Sequence, residues 1–340
     1  MNITVKLVLK VDNELENELS NYERIMKHEI YRIAGVFKKE QRVFEFRYKF
    51  ISNAVSWYSK SIVLEQAKIY YEKERQGKKP KLDFSSIWSD YSYKIIETGL
   101  LLLELGVSEH KRNLKVPFYV HEQQMQRIKM GKVKEMVIQH QGIHWFAFVN
   151  VEIHVPDKKG NIKMGIDVGM KIPAVSYTSS GKVKFFGNGR MIRYYQRRYR
   201  KHIQMMQKNH QYKKLRNFEH KLHHILRNFD HQISSEIIRY AIQEHVVEIR
   251  MERLTNINKQ FNVKYTKDIY LWSYRRLQTF IAYKAKLAGI KVCYVSAYNT
   301  SKKCPKCGKI NRPNDRTYQC SCGFKAHRDV VGAQNILHVL

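Results

Sequence analysis

Cys304-Pro305-Lys306-Cys307-Gly308 and, further on, Cys320-Ser321-Cys322-Gly323 anchor the most informative stretch of this chain. It continues through Phe324-Lys325-Ala326-His327-Arg328-Asp329 into Val330-Val331-Gly332-Ala333-Gln334-Asn335-Ile336-Leu337. Four thiols in two close pairs, each followed by Gly, fit the two knuckles of a zinc ribbon, whose thiolates complete a tetrahedral site. The glycines let the backbone turn so that amide N–H groups point at the sulfurs. The competing reading is two disulfides or idle thiols. The lack of a secretory signal weighs against it, as does there being one other cysteine, Cys293, inside an apolar strand. The second pair is Cys-x-Cys, which predicts a tighter knuckle than the usual Cys-x-x-Cys. Asp329 stands at the first turn of a helix marked by Val330, Ala333 and Leu337. Alone, it reads as an N-cap; with acidic partners elsewhere, it reads as part of a site.

The rest of the chain supplies the partners. Its 340 residues predict two or three domains, and 43% apolar content suffices for their cores. Lys and Arg number 62 against 30 Asp and Glu, a formal charge of +32. Such a field attracts polyanions, and 12% aromatic residues add surfaces for stacking bases, so nucleic acid is favoured over an anionic membrane. With no run of eighteen apolar residues, a soluble cytoplasmic protein is expected, with no membrane partner.

Residues 3–11 alternate apolar and polar as a half-buried strand, residues 14–110 read as helical with a break at Lys78-Lys79-Pro80, and strands return over 111–156. The expected arrangement is a small β-barrel (1–13 and 111–156) with an inserted helical domain (14–110). Beyond the turn Pro156-Asp157-Lys158-Lys159-Gly160, a buried strand carries Asp167 and leads into a hairpin turned at Ser179-Ser180-Gly181. A helical hairpin over about 190–240 follows, turning near Asn209. Its apolar stripes are Ile192, Tyr195, Tyr199, Met206 and Leu215, Phe218, Leu222, Ile225, Phe229. Its outer faces are basic: Lys182 to Arg227 hold fourteen Lys or Arg and one acid, Glu219. Arg193, Arg197, Arg198, Arg200, Lys201, Lys213 and Lys214 are the candidate nucleic-acid contacts. His202, His210, His220, His223 and His224 read as solvated or phosphate-facing. A strand over 246–254 carries Glu248 and Glu252 on one face. A helix, a further strand, and then the ribbon (301–325) precede the Asp329 helix, so the ribbon interrupts an α/β domain of 161–300 and 326–340.

Three acids on strand, strand and late helix fit a ribonuclease-H-like fold, in which such carboxylates hold two divalent cations about 4 Å apart. Hard oxygen ligands suit Mg²⁺. On Gly165-Ile166-Asp167-Val168-Gly169, Met251-Glu252-Arg253-Leu254, Asn299-Thr300-Ser301-Lys302-Lys303-Cys304 and the Cys322–Ile336 block, the chain resembles the TnpB family of insertion-sequence-encoded, RNA-guided DNA endonucleases, relatives of compact type V CRISPR nucleases. The resemblance implies a RuvC core with Asp167, Glu252 and Asp329 as catalytic magnesium ligands, choosing Glu252 over Glu248 because its motif places the Glu just before an x-Leu pair. It further implies one structural zinc, a guide RNA and target double-stranded DNA as partners, and a monomer on that RNA. Its alternative is a guided DNA-binding repressor with little or no nuclease activity, as in relatives that have lost the acids.

Overall fold

The computed structural model describes residues 1–43, 48–78, 86–106, 111–169, 171–253, 266–311 and 316–339. The chain divides into two compact units, Met1–His154 and Val155–Leu340. The expected break at Lys79-Pro80 and the motif residue Leu254 lie outside the described residues.

In the first unit, β1 (Asn2–Leu9) buries Val5, Leu7 and Leu9 and turns Thr4, Lys6 and Val8 outward, the period of two that its sequence shows. It pairs antiparallel with β5 (Arg112–Tyr119) and β7 (His144–Glu152). With β2 (Ser86–Trp88), β3 (Tyr93–Ile96), β4 (Leu100–Leu105) and β6 (Lys132–Gln141) these make a seven-stranded sheet ordered β2-β6-β7-β1-β5-β4-β3. The sheet curls until the Tyr93 hydroxyl at one edge donates to the Lys134 carbonyl beside the other edge. Helices α1 (Asn13–Lys39) and α2 (Trp57–Arg75) follow β1, and α3 (Glu122–Met130) precedes β6. Asp12 caps α1 by accepting from the Leu15 N–H, and Phe37 meets Tyr71 edge-on where α1 and α2 pack. One expectation fails here: residues 86–105, read as the end of the helical insertion, are strands β2, β3 and β4 and belong to the sheet. In Leu100-Leu101-Leu102-Leu103-Glu104-Leu105 only every second residue is buried, but leucines fill the other face too, so no alternation shows in the sequence.

The second unit holds a mixed five-stranded sheet ordered β10-β9-β8-β11-β12. Strands β8 (Ile162–Asp167), β11 (Val246–Glu252) and β12 (Lys291–Val295) run parallel, while β9 (Ala174–Thr178) and β10 (Val183–Phe186) form the antiparallel hairpin. Helices α4 (Gly189–Lys208) and α5 (Tyr212–Gln243) form a hairpin that packs Tyr199, Leu222 and Leu226 between them. Helix α6 (Thr266–Leu287) lies beside α5. Their apolar residues Ile233, Ile237, Leu277 and Ile281 meet Met164, Ile166, Ile249 and Met251 in one core on one face of the sheet.

Alternation then dictates what faces the other way. Gly165 and Asp167 on β8, and Glu248, Arg250 and Glu252 on β11, face α7 (Arg328–His338). Helix α7 sits so close that a Cβ on Gly165 would collide with the Ala333 carbonyl oxygen and lie 2.8 Å from the Leu337 nitrogen. Arg250, paired with Glu248 at 2.7 Å, donates to the Leu337 and Val339 carbonyls and so satisfies the end of α7.

Gly165→Ala is therefore expected to destabilise the protein by about 1–3 kcal/mol or more, because the obstructing atoms are backbone and do not yield. Denaturant unfolding checks this, and an unchanged midpoint would mean that α7 does not seat on β8 so closely.

Candidate functional site

Asp167 ends β8 and Glu252 ends β11. Met251 stands opposite Ile166 in the parallel ladder, which places the two acids on the next rung. Asp329 comes from the first turn of α7. It is not the cap: His327 holds that position and accepts from the Asp329 N–H through Nδ1. Gly332, one turn along α7, faces Asp167, and a Cβ there would lie 2.6 Å from its Oδ2.

Asp167 feels both of the other acids. Loss of water raises Asp167 from the ordinary 3.8, the charges of Glu252 and Asp329 raise it further, and Arg328 and Arg316 only partly oppose them, so it is pushed up to about 8. Glu252 is raised by burial, against a hydrogen bond from the Thr300 hydroxyl. Asp329 accepts from Arg316 Nη1 through both oxygens, at 3.0 and 2.8 Å. Glu248 differs. Burial would raise it, but the hydrogen bond and charge of Arg250 outweigh that and hold it below the usual carboxylate range. It serves the seat of α7, not the trio.

Sequence reasoning missed Thr300, Arg316 and Gly332. Arg316 was one cation among 62 Lys and Arg, and no spacing marked it. Thr300 lay inside the quoted motif before Cys304, but nothing in that motif says what its hydroxyl touches.

Among the described residues, only the four cysteines bring three or more potential metal-ligand atoms of His, Cys, Asp or Glu within 4.8 Å of one another. Cys304 Sγ lies 3.7 Å from Cys322 Sγ, and Cys307 Sγ 3.5 Å from Cys320 Sγ. Strands β13 (Thr317–Gln319) and β14 (Lys325–His327) frame the group, with Tyr318 wholly buried beneath it. The Cys322 backbone N–H lowers the Cys320 thiol to about 6, helped by Cys307 and by Asn311, whose Nδ2 lies 3.2 Å from its sulfur. Thiolate is the form that binds metal. Asn335 on α7 donates to the carbonyls of Thr300 and Lys303, both at 2.7 Å, and ties the segment entering the ribbon to the helix that carries Asp329.

The basic candidates separate. Arg193, Arg197, Arg198 and Lys201 line one cleft of about 660 Å³ with Lys171, Arg190 and Tyr194. Arg200, Lys213 and Lys214 do not line it.

With the trio free of added divalent cation, stability should fall with pH. Asp167 holds its proton more tightly folded than unfolded, so its contribution is intact below about 3.8 and lost as pH rises through about 8. Thermal unfolding in magnesium-free buffer should show Asp167→Asn gaining on the parent between pH 5 and pH 9. A constant difference across that range would contradict the crowding of the trio.

Parts of the chain match known proteins. The family described as "Probable transposase" (OrfB_IS605) matches residues 146–258, and "Cas12f1-like, TNB domain" matches residues 274–336. The TnpB-like protein MJ0751 of Methanocaldococcus jannaschii is 40% identical over 111 residues, 31% of this chain and 40% of that protein. The CRISPR-associated endodeoxyribonuclease Cas12f1 of Sulfoacidibacillus thermotolerans is 38% identical over 111 residues, 32% of this chain and 25% of that protein. These matches thus span well under half the length of either relative. A Cas12f1 solved by cryo-electron microscopy with sgRNA and target DNA shares the fold, with a TM-score of 0.62 at 14% identity over 97% of this chain and 87% of that one. Among the described residues, no helix is long and apolar enough to cross a membrane. The segment with both acid-bearing strands thus matches the probable-transposase model and the segment with the cysteine knuckles matches the Cas12f1-like TNB model, and part of the chain is similar to TnpB-like and Cas12f1 proteins.

Proposed function

We propose that this protein is an RNA-guided endonuclease acting on double-stranded DNA, with Asp167, Glu252 and Asp329 as a RuvC-type site for two magnesium ions and Cys304, Cys307, Cys320 and Cys322 holding one structural zinc. The observation that carries the reading is the placing of three acids at one end and on one face of the second sheet, near enough that Glu252 and Asp329 raise Asp167. Such crowding is unfavourable unless cations relieve it, and hard carboxylate oxygens fit magnesium. When bound, the ions supply a hydroxide nucleophile and neutralise charge on the leaving 3′-oxygen. The residues do the rest. Asp167, fixed on the central strand against Gly332, sets the centre of the site. Thr300 orients Glu252, and Arg316 orients Asp329. Arg316 would also meet a phosphate brought to the acids, because its planar fork of donors matches phosphate oxygens. The guide RNA and target DNA are inferred from the family and from the charge of +32.

Asp167→Ala should reduce cleavage of a guide-matched duplex by orders of magnitude while leaving guided binding largely intact, since recognition rests on base pairing and backbone contacts. Cleavage by reconstituted protein and its co-purified RNA, with and without Mg²⁺, measures this; full activity in Asp167→Ala refutes the site. Glu248→Ala should lower stability through Arg250 and α7, with a smaller effect on cutting than Glu252→Ala. A wild type that binds matched targets and never cuts them would establish the repressor reading instead.

Metal analysis should find one zinc per chain, lost in Cys304→Ser with Cys320→Ser. Unfolding should then begin in the ribbon and reach Asp329 through Asn335 and Arg316. Zinc-free protein with unchanged stability would overturn the assignment.

A further inference from the structure

One aromatic ring on the acid-bearing face of the second sheet lies outside the core. In β10, Phe186 points into the core with Met164, Ile233 and Tyr240, so Phe185 points the other way. The ladders fix where it stands. Phe185 is opposite Val175 on β9, and Val175 is opposite Asp167 on β8. The three residues therefore form one row across three strands and share a face, and two strand spacings put Phe185 about 10 Å from Asp167. Helix α7 packs over β8 and β9 and buries Val175, the middle of the row. At its end Phe185 is 46% exposed, and Val183, on the same face of β10, is exposed too.

The ring has a second wall beside it. His327, which caps α7, meets Phe185 edge-on, with ring centres 5.4 Å apart and planes at 89°. Its Nδ1 accepts from the Asp329 N–H, which fixes the imidazole and leaves the proton of the neutral ring on Nε2. Two rings at a right angle make a corner. One wall is in the row of Asp167 and the other is two residues from Asp329.

We propose that Phe185 and His327 seat an unpaired base of the strand being cut, which makes Phe185 a positioning residue for the phosphate at Asp167. The proposal rests on the nuclease reading, since it is the trio that brings a nucleotide to this face. A flat apolar ring takes a flat partner, and a nucleotide next to the phosphate held by the acids has one within reach. Every base has a π-face, so the corner holds the strand without reading its sequence. An intact duplex does not fit, because its bases already stack on one another and offer the ring no face. A protein partner fits poorly, because a hot-spot aromatic needs a surrounding rim that excludes water, and here the neighbours are carboxylates.

The test places 2-aminopurine, a base that is bright when unpaired and dim when stacked, at one position at a time in each strand of a guide-matched duplex. Full-length protein with its co-purified RNA binds the duplex in magnesium-free buffer. One position should be dim with wild type and with Phe185→Tyr, and at least about threefold brighter with Phe185→Leu, which stays apolar against His327 but has no stacking face. With magnesium added, Phe185→Leu should lose about tenfold in kcat/KM. An abasic site at the same position should cost wild type about as much and cost Phe185→Leu nothing further. Phe185→Val, suited to a strand, replaces Phe185→Leu if that variant does not fold. If no position brightens in the variant, or if the abasic and Phe185→Leu losses simply add, Phe185 only packs against His327 and the proposal is overturned. The fluorescence involves no hydrolysis. A dim position in a protein that never cuts therefore upholds the corner and removes the nuclease reading, and cutting without a dim position does the reverse.

Discussion

The approach of α7 to β8 fixes everything else in the second unit. At Gly165 the helix backbone occupies the space a side chain would need, and at Gly332 the helix in turn makes room for the Asp167 carboxylate. Two glycines, one on each element, thereby set how Asp329 and Asp167 face each other. The other side of β8 is held by Met164 and Ile166 in the α5–α6 core. A strand so gripped on both faces has little freedom, which is what a group of like charges requires if its geometry is not to relax apart.

How legible was this in the sequence? Asp167 stood out because it lies in an apolar strand where an unpaired acid is unfavourable, whereas Asp329 alone read as an N-cap and Glu252 was separated from Glu248 only by the family resemblance. The cysteine spacing was legible because ligand geometry permits few spacings. The hairpin of α4 and α5 was legible because two helical stripes flank a polar break at Asn209. Strands β2, β3 and β4 were not, since leucines on both faces of β4 erase its alternation and a three-residue strand such as β2 has no period to read. Nor were the partners of the acids: Arg316 and Thr300 reach them only through the folding of the ribbon segment.

That segment couples two chemistries that the sequence keeps a few residues apart. The sulfurs of the four cysteines suit a soft or borderline cation, and the carboxylates suit a hard one. Tyr318 ties the cysteine side together: its hydroxyl donates to the Lys302 carbonyl and receives from Asn311, which also touches the Cys320 sulfur. Asn335 and Arg316 then carry the ribbon's position to α7 and to Asp329. The ribbon is thus a brace for one acid of the trio, so its removal is felt at the site as well as in overall stability.

The charge distribution explains why acids and cations are neighbours here. Two like unit charges about 4 Å apart repel by roughly 4 kcal/mol at the effective dielectric of a protein surface. A phosphate approaching three carboxylates would meet several times that, and the average charge of the chain is too diffuse to cancel it locally. Counter-charge has to stand within a few ångströms of the acids and along the path to them. Arg316 stands beside Asp329, and Lys171 with the α4 arginines lines a separate cleft of positive charge. Salt screens the path, which is exposed, more than the buried acids. Raising ionic strength should therefore weaken the pull of the exposed cations on any polyanion before it changes the electrostatics of the buried Asp167.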